Sequence, residues 1–387
     1  MSRSRIGWIV GGAAILAVLL VLGLRLTAGG TPDVETNTPP QMPALASEEW
    51  AADYYGGADE SEEEGEEEEL ENRQDWALAR FGAPTPAEYH AALDQAAAIG
   101  TLTEKKYPSL THTEWSLVGP TNVGGRITDL VVDPTTPGTI YTAAAAGGVW
   151  KSTNADSTPF TLQSAWGDQM IQPVGALAIT PDGTLYAGTG EANPNIPSWP
   201  GTGIYKSTDG GANWTNIGLE TSGTIGEIAI DPTNPNRLFV AANGYLFTPG
   251  GERGLYRSED AGQTWELVLA GANGNTGAVD VAIHPQNPNR VYAAMWDHRR
   301  EPCCRALGGV GSGLFRSDDG GETWTRLETI TNPGNTELSS SSDLGRLGIA
   351  LASSSPDRVY VIATTSNSTG ISGAFRGFYW SNDGGDT

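Results

Sequence analysis

The sequence predicts an all-β chain folded as a β-propeller of four-stranded blades, preceded by an N-terminal membrane anchor and a short helical segment. Three observations predict it. An eight-residue phrase recurs as Ser207-Thr-Asp209-Gly-Gly211-Ala-Asn-Trp214, Ser258-Glu-Asp260-Ala-Gly262-Gln-Thr264-Trp265 and Ser317-Asp-Asp319-Gly-Gly321-Glu-Thr323-Trp324. A fourth copy, Ser381-Asn-Asp383-Gly-Gly385-Asp-Thr387, stops short of the Trp, and Ser152-Thr-Asn154-Ala-Asp156 is a blurred one. The key positions 154, 209, 260, 319 and 383 lie 55, 51, 59 and 64 residues apart, a period suited to one four-stranded blade. Finally, 51 Gly and 24 Pro in 387 residues suit a turn-rich β chain.

Residues 1–30 read as a signal anchor. Arg3 and Arg5 precede an uncharged apolar run from Ile6 to Leu24, just long enough as a helix to cross a bilayer. No small-x-small cleavage site follows and Arg25 sits where a peptidase region is neutral, so the expected state is an uncleaved membrane span with the N-terminus inside. Cleavage would make the protein secreted instead. Either way the remainder is expected outside the cytoplasm.

Residues 31–75 read as an extended, disordered acidic linker, with Asp59-Glu-Ser-Glu-Glu-Glu-Gly-Glu-Glu-Glu-Glu-Leu-Glu71 at its heart and one base, Arg73. Residues 76–112 read as a helical segment: Trp76 to Phe81, then a helix with Thr85 as N-cap, Pro86 in the first turn and Gly100 ending the pattern. It is expected to pack on the propeller or on a neighbour.

The propeller is expected over residues 113–387, as about five blade units of a larger ring that is incomplete at the C-terminus. The unit from Ile225 shows the parts. Apolar Ile225–Ile230 and Arg237–Ala242 flank an Asp-Pro-Thr-Asn-Pro-Asn turn, then come Gly254–Ser258, the phrase, and Thr264–Leu269. These are strands A to D, running from the inside of the blade outward. The fifth unit stops inside its phrase and lacks a D strand, which reads as truncation. In the alternative reading, Thr113-Glu-Trp-Ser-Leu-Val118 supplies that strand.

The phrase has its own physical logic. An Asp two residues after a Ser accepts hydrogen bonds from N–H groups in the tight C-to-D turn, while the glycines take positive φ. The Trp covers the turn, and burying about 200 Å² at roughly 25 cal/mol per Å² contributes a few kcal/mol as an upper estimate. It is a structural staple.

With the phrase in the C-to-D turn, the phrases and the A-to-B turns share a lower face, and the B-to-C and D-to-A loops share an upper one. The long, irregular loops are all of the second kind, which makes the upper face the candidate binding surface. The loops and strand ends there bring Arg126, Arg346, Glu191, Trp199, Glu252, Arg253, Trp296, Asp297, His298 and Arg299 as candidate ligand-binding residues. Aromatics beside carboxylates suit a carbohydrate.

Counting four back from each A-to-B turn residue gives Asp129, Glu227 and Asp280, with Ala176 and Gly348 in the other two units. Carboxylates converging on one axis are a functional-site signature, and these three are the weak catalytic candidates. The competing reading leaves them solvated in a water-filled channel. Cys303 and Cys304 are adjacent and suit a vicinal disulfide, a bond to another chain or free thiols, and no metal or other cofactor is expected. The boxes lack the ligands of a calcium loop.

The repeated phrase resembles the Asp-box (BNR) of propeller proteins, Ser-x-Asp-x-Gly-x-Thr-Trp. More narrowly, Trp115-Ser-Leu-Val-Gly-Pro-Thr-Asn-Val-Gly-Gly-Arg-Ile127, Gly147-Gly-Val-Trp-Lys-Ser152 and Gly188-Thr-Gly-Glu-Ala-Asn-Pro194 are similar to the bacterial sortilin-like proteins labelled glycosyl hydrolases. The resemblance implies the propeller over about Thr113 to Thr387 and says little of activity. It does not extend to the sialidases, whose three-arginine cluster and Arg-Ile-Pro motif are missing.

Charge excludes one class of partner. Twenty-two Lys and Arg against 46 Asp and Glu leave −24, so no nucleic acid is expected. Two functions remain: a tethered propeller binding a protein, peptide or glycan opposite the boxes, or a glycoside hydrolase acting on extracellular polysaccharide.

Overall fold

The computed structural model describes residues 84–106, 125–167, 169, 171–193, 198–300, 305–327, 344–366 and 374–386. The expected anchor, the acidic linker, Trp76–Phe81, Thr113–Val118 and the two cysteines lie outside the described residues. Among the described residues no helix is long and apolar enough to cross a membrane.

Five antiparallel sheets follow one another along the chain. The first takes Ile127–Val132, Ile140–Ala144, Gly148–Ser152 and Gln163–Ser164 as strands A to D, and the second Val174–Ile179, Leu185–Thr189, Ile204–Ser207 and Thr215–Asn216. The third takes Ile225–Ile230, Leu238–Ala242, Gly254–Ser258 and Glu266–Leu269, and the fourth Thr276–Ile283, Val291–Asp297, Gly313–Ser317 and Thr325–Arg326. The fifth has Leu344–Leu351, Val359–Thr365 and Phe375–Ser381 as A to C. A small hairpin joins Arg299–Arg300 to Arg305–Ala306.

Each A strand packs against the A strand of the next sheet, so the sheets are successive blades around an axis. The approach is close at the inner edge. A Cβ added to Gly175 or Gly226 would stand 2.2 Å from a main-chain oxygen of the following blade, Ile225 O or Val279 O.

Between blades lie four apolar clusters, one at each interface. Tyr141, Ala143 and Val149 of blade one face Val174, Leu177 and Leu185 of blade two. The same kind of packing repeats around the arc: Tyr186 and Ile204 with Ile225 and Ile228, Phe239 and Leu255 with Ala278 and Val281, and Tyr292 and Leu314 with Leu344, Leu347 and the partly buried Ile349. Because blades are covered on both sides, their inner strands are apolar nearly throughout rather than alternating.

The boxes do what their residues dictate. In each full copy the Ser hydroxyl donates to the Asp (2.8, 2.8 and 2.7 Å) and accepts from the second glycine N–H (3.0, 2.8 and 2.8 Å), while the Asp accepts from the N–H four residues on. These bonds hold the Asp209, Asp260 and Asp319 carboxyls down at about 2. The last box keeps the bond from Ser381 to Asp383 (2.5 Å), and the blurred one uses Ser152 and Asn154 in the same way (3.1 Å).

The boxes also tie blade to blade. The carbonyl after the box Asp accepts from a B-strand Tyr and a C-strand base of the preceding blade: Tyr141 and Lys151 on Gly210, Tyr186 and Lys206 on Ala261, Tyr292 and Arg316 on Gly384. Arg257 does this alone on Gly320. In blades one, three, four and five the box turn bonds the A-to-B turn of its own blade, as Ala261 N does to Asn236 O at 2.9 Å, so both turns share the lower face as expected.

A helix, α1, spans Pro86–Lys106. Thr85 caps it as expected: Glu88 N donates to Thr85 Oγ1 (3.3 Å) and Thr85 N to Glu88 Oε2 (2.8 Å), a capping box. Gly100 does not end it, since one interior glycine costs only about 1 kcal/mol and the hydrogen-bonded turns continue past it.

Candidate functional site

Two regions carry the sequence candidates: the axial mouth, where A strands converge, and the upper rim above it.

At the mouth, every A strand breaks register just before its key position, between Ile127 and Asp129, Val174 and Ala176, Ile225 and Glu227, Ala278 and Asp280, and Leu344 and Leu347. Such bulges re-aim a side chain and free an N–H from the ladder. Asp129 Oδ2 accepts from Leu177 N of the next blade at 2.7 Å, and Asp280 Oδ2 accepts from Ile349 N of the next blade at 2.8 Å. Glu227 accepts from its neighbour Ile228 N at 3.2 Å.

The three carboxyls act on one another. Glu227 is pushed up to about 8, first by burial and then by the charges of Asp129 and Asp280, with Arg346 pulling the other way. Burial also raises Asp129 and Asp280, which their backbone N–H partners hold back. The reading that leaves these groups free in a water-filled channel is corrected for Asp129 and Asp280, which are half-buried and bridge neighbouring blades.

Two arginines frame the mouth. Arg126 forks onto both carboxylate oxygens of the buried Glu191, and its Nη1 also reaches Asn193 O at 3.4 Å. Arg346 donates to the Asn193 side-chain oxygen and lies over the Trp296 ring at 5.9 Å. Blades one and five thus both grip residues 191–193 of blade two. Burial pushes the Glu191 carboxyl up to about 7 against the pull of both guanidiniums.

On the rim, several candidates turn inward. Arg253 is buried, and its guanidinium donates to Asn243 O (2.6 Å), Thr248 O (2.9 Å), Gly250 O and Asn275 O (both 3.0 Å), and Tyr245 O. It shapes the loop that carries it. Trp296 is buried, donates to Leu307 O at 3.0 Å and stacks on buried His298 with ring centroids 4.1 Å apart. Burial and two nearby guanidiniums push His298 down to about 3, so it is neutral.

Carboxylates on the rim are also engaged. Glu252 accepts from Thr221 N (2.8 Å) and Oγ1 (2.9 Å), and Asp297 from Asn273 Nδ2 (2.7 Å). Trp199 is half-buried and its carbonyl accepts from Glu191 N at 3.3 Å. Arg299 pairs with Ala306 in the small hairpin. Trp296, His298 and Arg253 therefore lie within the packing, not on open loops, because a long loop needs anchors of its own.

Sequence reasoning missed one feature. It is Asn193, an amide two residues after Glu191 whose backbone and side-chain oxygens accept from Arg126 and Arg346. The helix, expected to pack on the propeller or on a neighbour, packs on the propeller. It lies on the upper rim, where buried Tyr89 donates to Pro200 O at 3.2 Å and meets Tyr245 edge-on at 6.5 Å, and Thr248 Oγ1 donates to Pro84 O at 3.2 Å. His90 Nε2 is 2.9 Å from Glu220 O. Among the described residues no three His, Cys, Asp or Glu side chains come together as a metal set.

Axially packed blades pinned by Ser–Asp turns define a β-propeller with Asp-box turns. Residues 202–386 match the family model described as "Sortilin, neurotensin receptor 3". A xyloglucanase of Acetivibrio thermocellus is 35% identical over 120 residues, 28% of this chain and 12% of that protein. One from a Paenibacillus species is 27% identical over 245 residues, 57% of this chain and 22% of that protein. The alignments thus span well under a third of these relatives. Among solved structures, a GH74 enzyme of Niastella koreensis is similar at 23% identity and TM-score 0.44, over 66% of this chain and 36% of that one. YCF48 from Cyanidioschyzon merolae is similar at 18% identity and TM-score 0.38, over 69% and 70%.

Proposed function

We propose that this chain is the propeller portion of a glycoside hydrolase acting on an extracellular polysaccharide, held to a membrane by residues 1–30 and spaced from it by residues 31–75. The observation that carries the reading is the Glu227 carboxyl, held at about 8 on the propeller axis beside Asp129, Asp280 and Arg346. A carboxyl still protonated at neutral pH, close to two other carboxyls, is the acid and base pairing that glycosidic cleavage needs. Glu227 would protonate the leaving oxygen. Asp129 or Asp280, once ionised, would direct water or attack the anomeric carbon. The similarity to xyloglucanases supports a β-glucan as the substrate class.

A second reading, glycan binding without turnover, draws on the bonds that Asp129 and Asp280 make to Leu177 N and Ile349 N. Groups already used to join blades are less free to react. The full-length chain should be incubated with xyloglucan and other β-glucans while new reducing ends are measured. Hydrolysis predicts turnover that Glu227→Gln abolishes with thermal unfolding preserved. Retention on a glycan affinity gel with no reducing ends would instead establish the second reading, and neither retention nor turnover would overturn both.

A further inference from the structure

Blade five is the odd member at the axis. Where blades one, three and four carry Asp129, Glu227 and Asp280, it carries Gly348, and a Cβ there would stand 3.8 Å from Asp280 Oδ2. Two residues earlier, inside the register break between Leu344 and Leu347, comes Arg346. One residue after Gly348, Ile349 N donates to Asp280 Oδ2 at 2.8 Å, so the strand that carries Arg346 is bonded to the strand that carries Asp280. Three blades thus bring carboxyls to the mouth, and the fifth brings a cation.

The Arg346 guanidinium is placed from two sides. Its Nη1 donates to the Asn193 side-chain oxygen, and it lies over the Trp296 ring at 5.9 Å, within cation–π range. Trp296 is itself fixed by the Leu307 carbonyl and by the neutral His298 stacked on it. Of the carboxyls that act on Arg346, Asp280 acts most strongly, ahead of Glu191 and Glu227. Glu191 already has the Arg126 fork, and Glu227 lies one blade further away. Asp129 is held by backbone donors instead, Oδ1 accepting from Leu130 N and Oδ2 from Leu177 N, both at 2.7 Å.

Resting on the hydrolase reading above, we propose that Asp280 is the carboxylate that works with Glu227, and that Arg346 is the positioning residue that selects it over Asp129. Acid and base must hold opposite protonation states at one pH, and a guanidinium beside one of two neighbouring carboxyls decides which gives up its proton. In the step that follows, Glu227 passes its proton to the glycosidic oxygen, which keeps the bonding pair as its bond to the anomeric carbon breaks. Asp280 takes a proton from the water whose oxygen bonds that carbon. One proton leaves Glu227 and one arrives on Asp280, so no other reactant is needed.

Two measurements on the full-length chain test this assignment. With a β-glucan as substrate, Asp280→Asn should lower kcat by about 100-fold, and by at least about tenfold more than Asp129→Asn, with both variants folded by circular dichroism. Arg346→Met should move the acid limb of the kcat/KM profile to higher pH, and Arg346→Lys should restore it in part, which loss of packing alone would not produce. A larger loss in Asp129→Asn than in Asp280→Asn, or an unmoved acid limb, would overturn the inference and leave hydrolysis standing. The second measurement needs no turnover. In protein labelled with carbon-13 at its carboxyls, with signals assigned from the Asn and Gln variants, Arg346→Met should raise the titration midpoint of Asp280 more than that of Asp129. Equal shifts, or none, would overturn the role of Arg346 even where the wild type releases no reducing ends.

Discussion

The lower face of this propeller is built from one device used again and again, while the upper face is held by anchors used once each. Below, a Ser, an Asp and two glycines close the C-to-D turn, and the carbonyl after the Asp receives the preceding blade. Above, Arg253 gathers five carbonyls, Trp296 stacks on His298, Glu252 ties back to Thr221, and α1 lies across loops of blades two and three. The difference teaches where variation is tolerated. Repetition fixes the ring below, which leaves the upper loops to differ from blade to blade and to hold polar groups near the axis.

The comparison can be broken most severely through a box Trp. Trp214 is buried, donates to Ala165 O at 2.8 Å and packs on Trp166 with ring centroids 4.9 Å apart. Trp214→Ala should cost about 3–5 kcal/mol in denaturant unfolding. If the loss is below about 1 kcal/mol, the box is not the staple described.

A single upper anchor should matter almost as much. Arg253→Met leaves several buried carbonyls without a donor, and we expect a loss of about 3 kcal/mol together with faster hydrogen exchange confined to residues 243–254. Uniform loosening of all blades would show that this loop is not separately anchored.

Acidity should separate the two regions by sign. The box aspartates are depressed to about 2, so their contribution is complete above the ordinary aspartate range near pH 4 and is lost as pH falls toward 2. Glu227 is raised to about 8, so the folded state binds the extra proton and stability declines as pH rises from about 4.5 to about 8. Glu227→Gln should therefore match the wild type in melting temperature at pH 4 and exceed it at pH 8. Equal melting temperatures at both pH values would remove the case for a protonated axial acid.

The smallest change sharpens the lower face. Ala261 sits at φ 59°, where the other boxes have Gly210, Gly320 and Gly384 at 73°, 77° and 74°. Ala261→Gly should stabilise by about 1 kcal/mol through relief of the left-handed conformation, measured by the denaturant midpoint.

Much of this was legible in the chain itself. Box residues, strand order, the Thr85 cap and the axial trio Asp129, Glu227 and Asp280 follow from short-range spacing, since each depends on turns and strands a few residues apart. Fates on the upper face were not legible. Whether Trp296 or Arg253 faces solvent depends on where Leu307, Asn275 and Thr248 come to rest, and no local pattern encodes those positions.

The sequence by itself determined a repeat: its period, its pinned turns and the carboxylates at one position of three of the five A strands, because hydrogen bonds within a hairpin and period-two burial are local. Tertiary structure alone decided that Asp129 and Asp280 would bind the backbone of the following blade, that Glu227 would lose its charge between them, and that α1 would settle on the rim. Those outcomes depend on contacts between residues tens to more than a hundred positions apart, where desolvation and neighbouring charge are properties of the assembled ring.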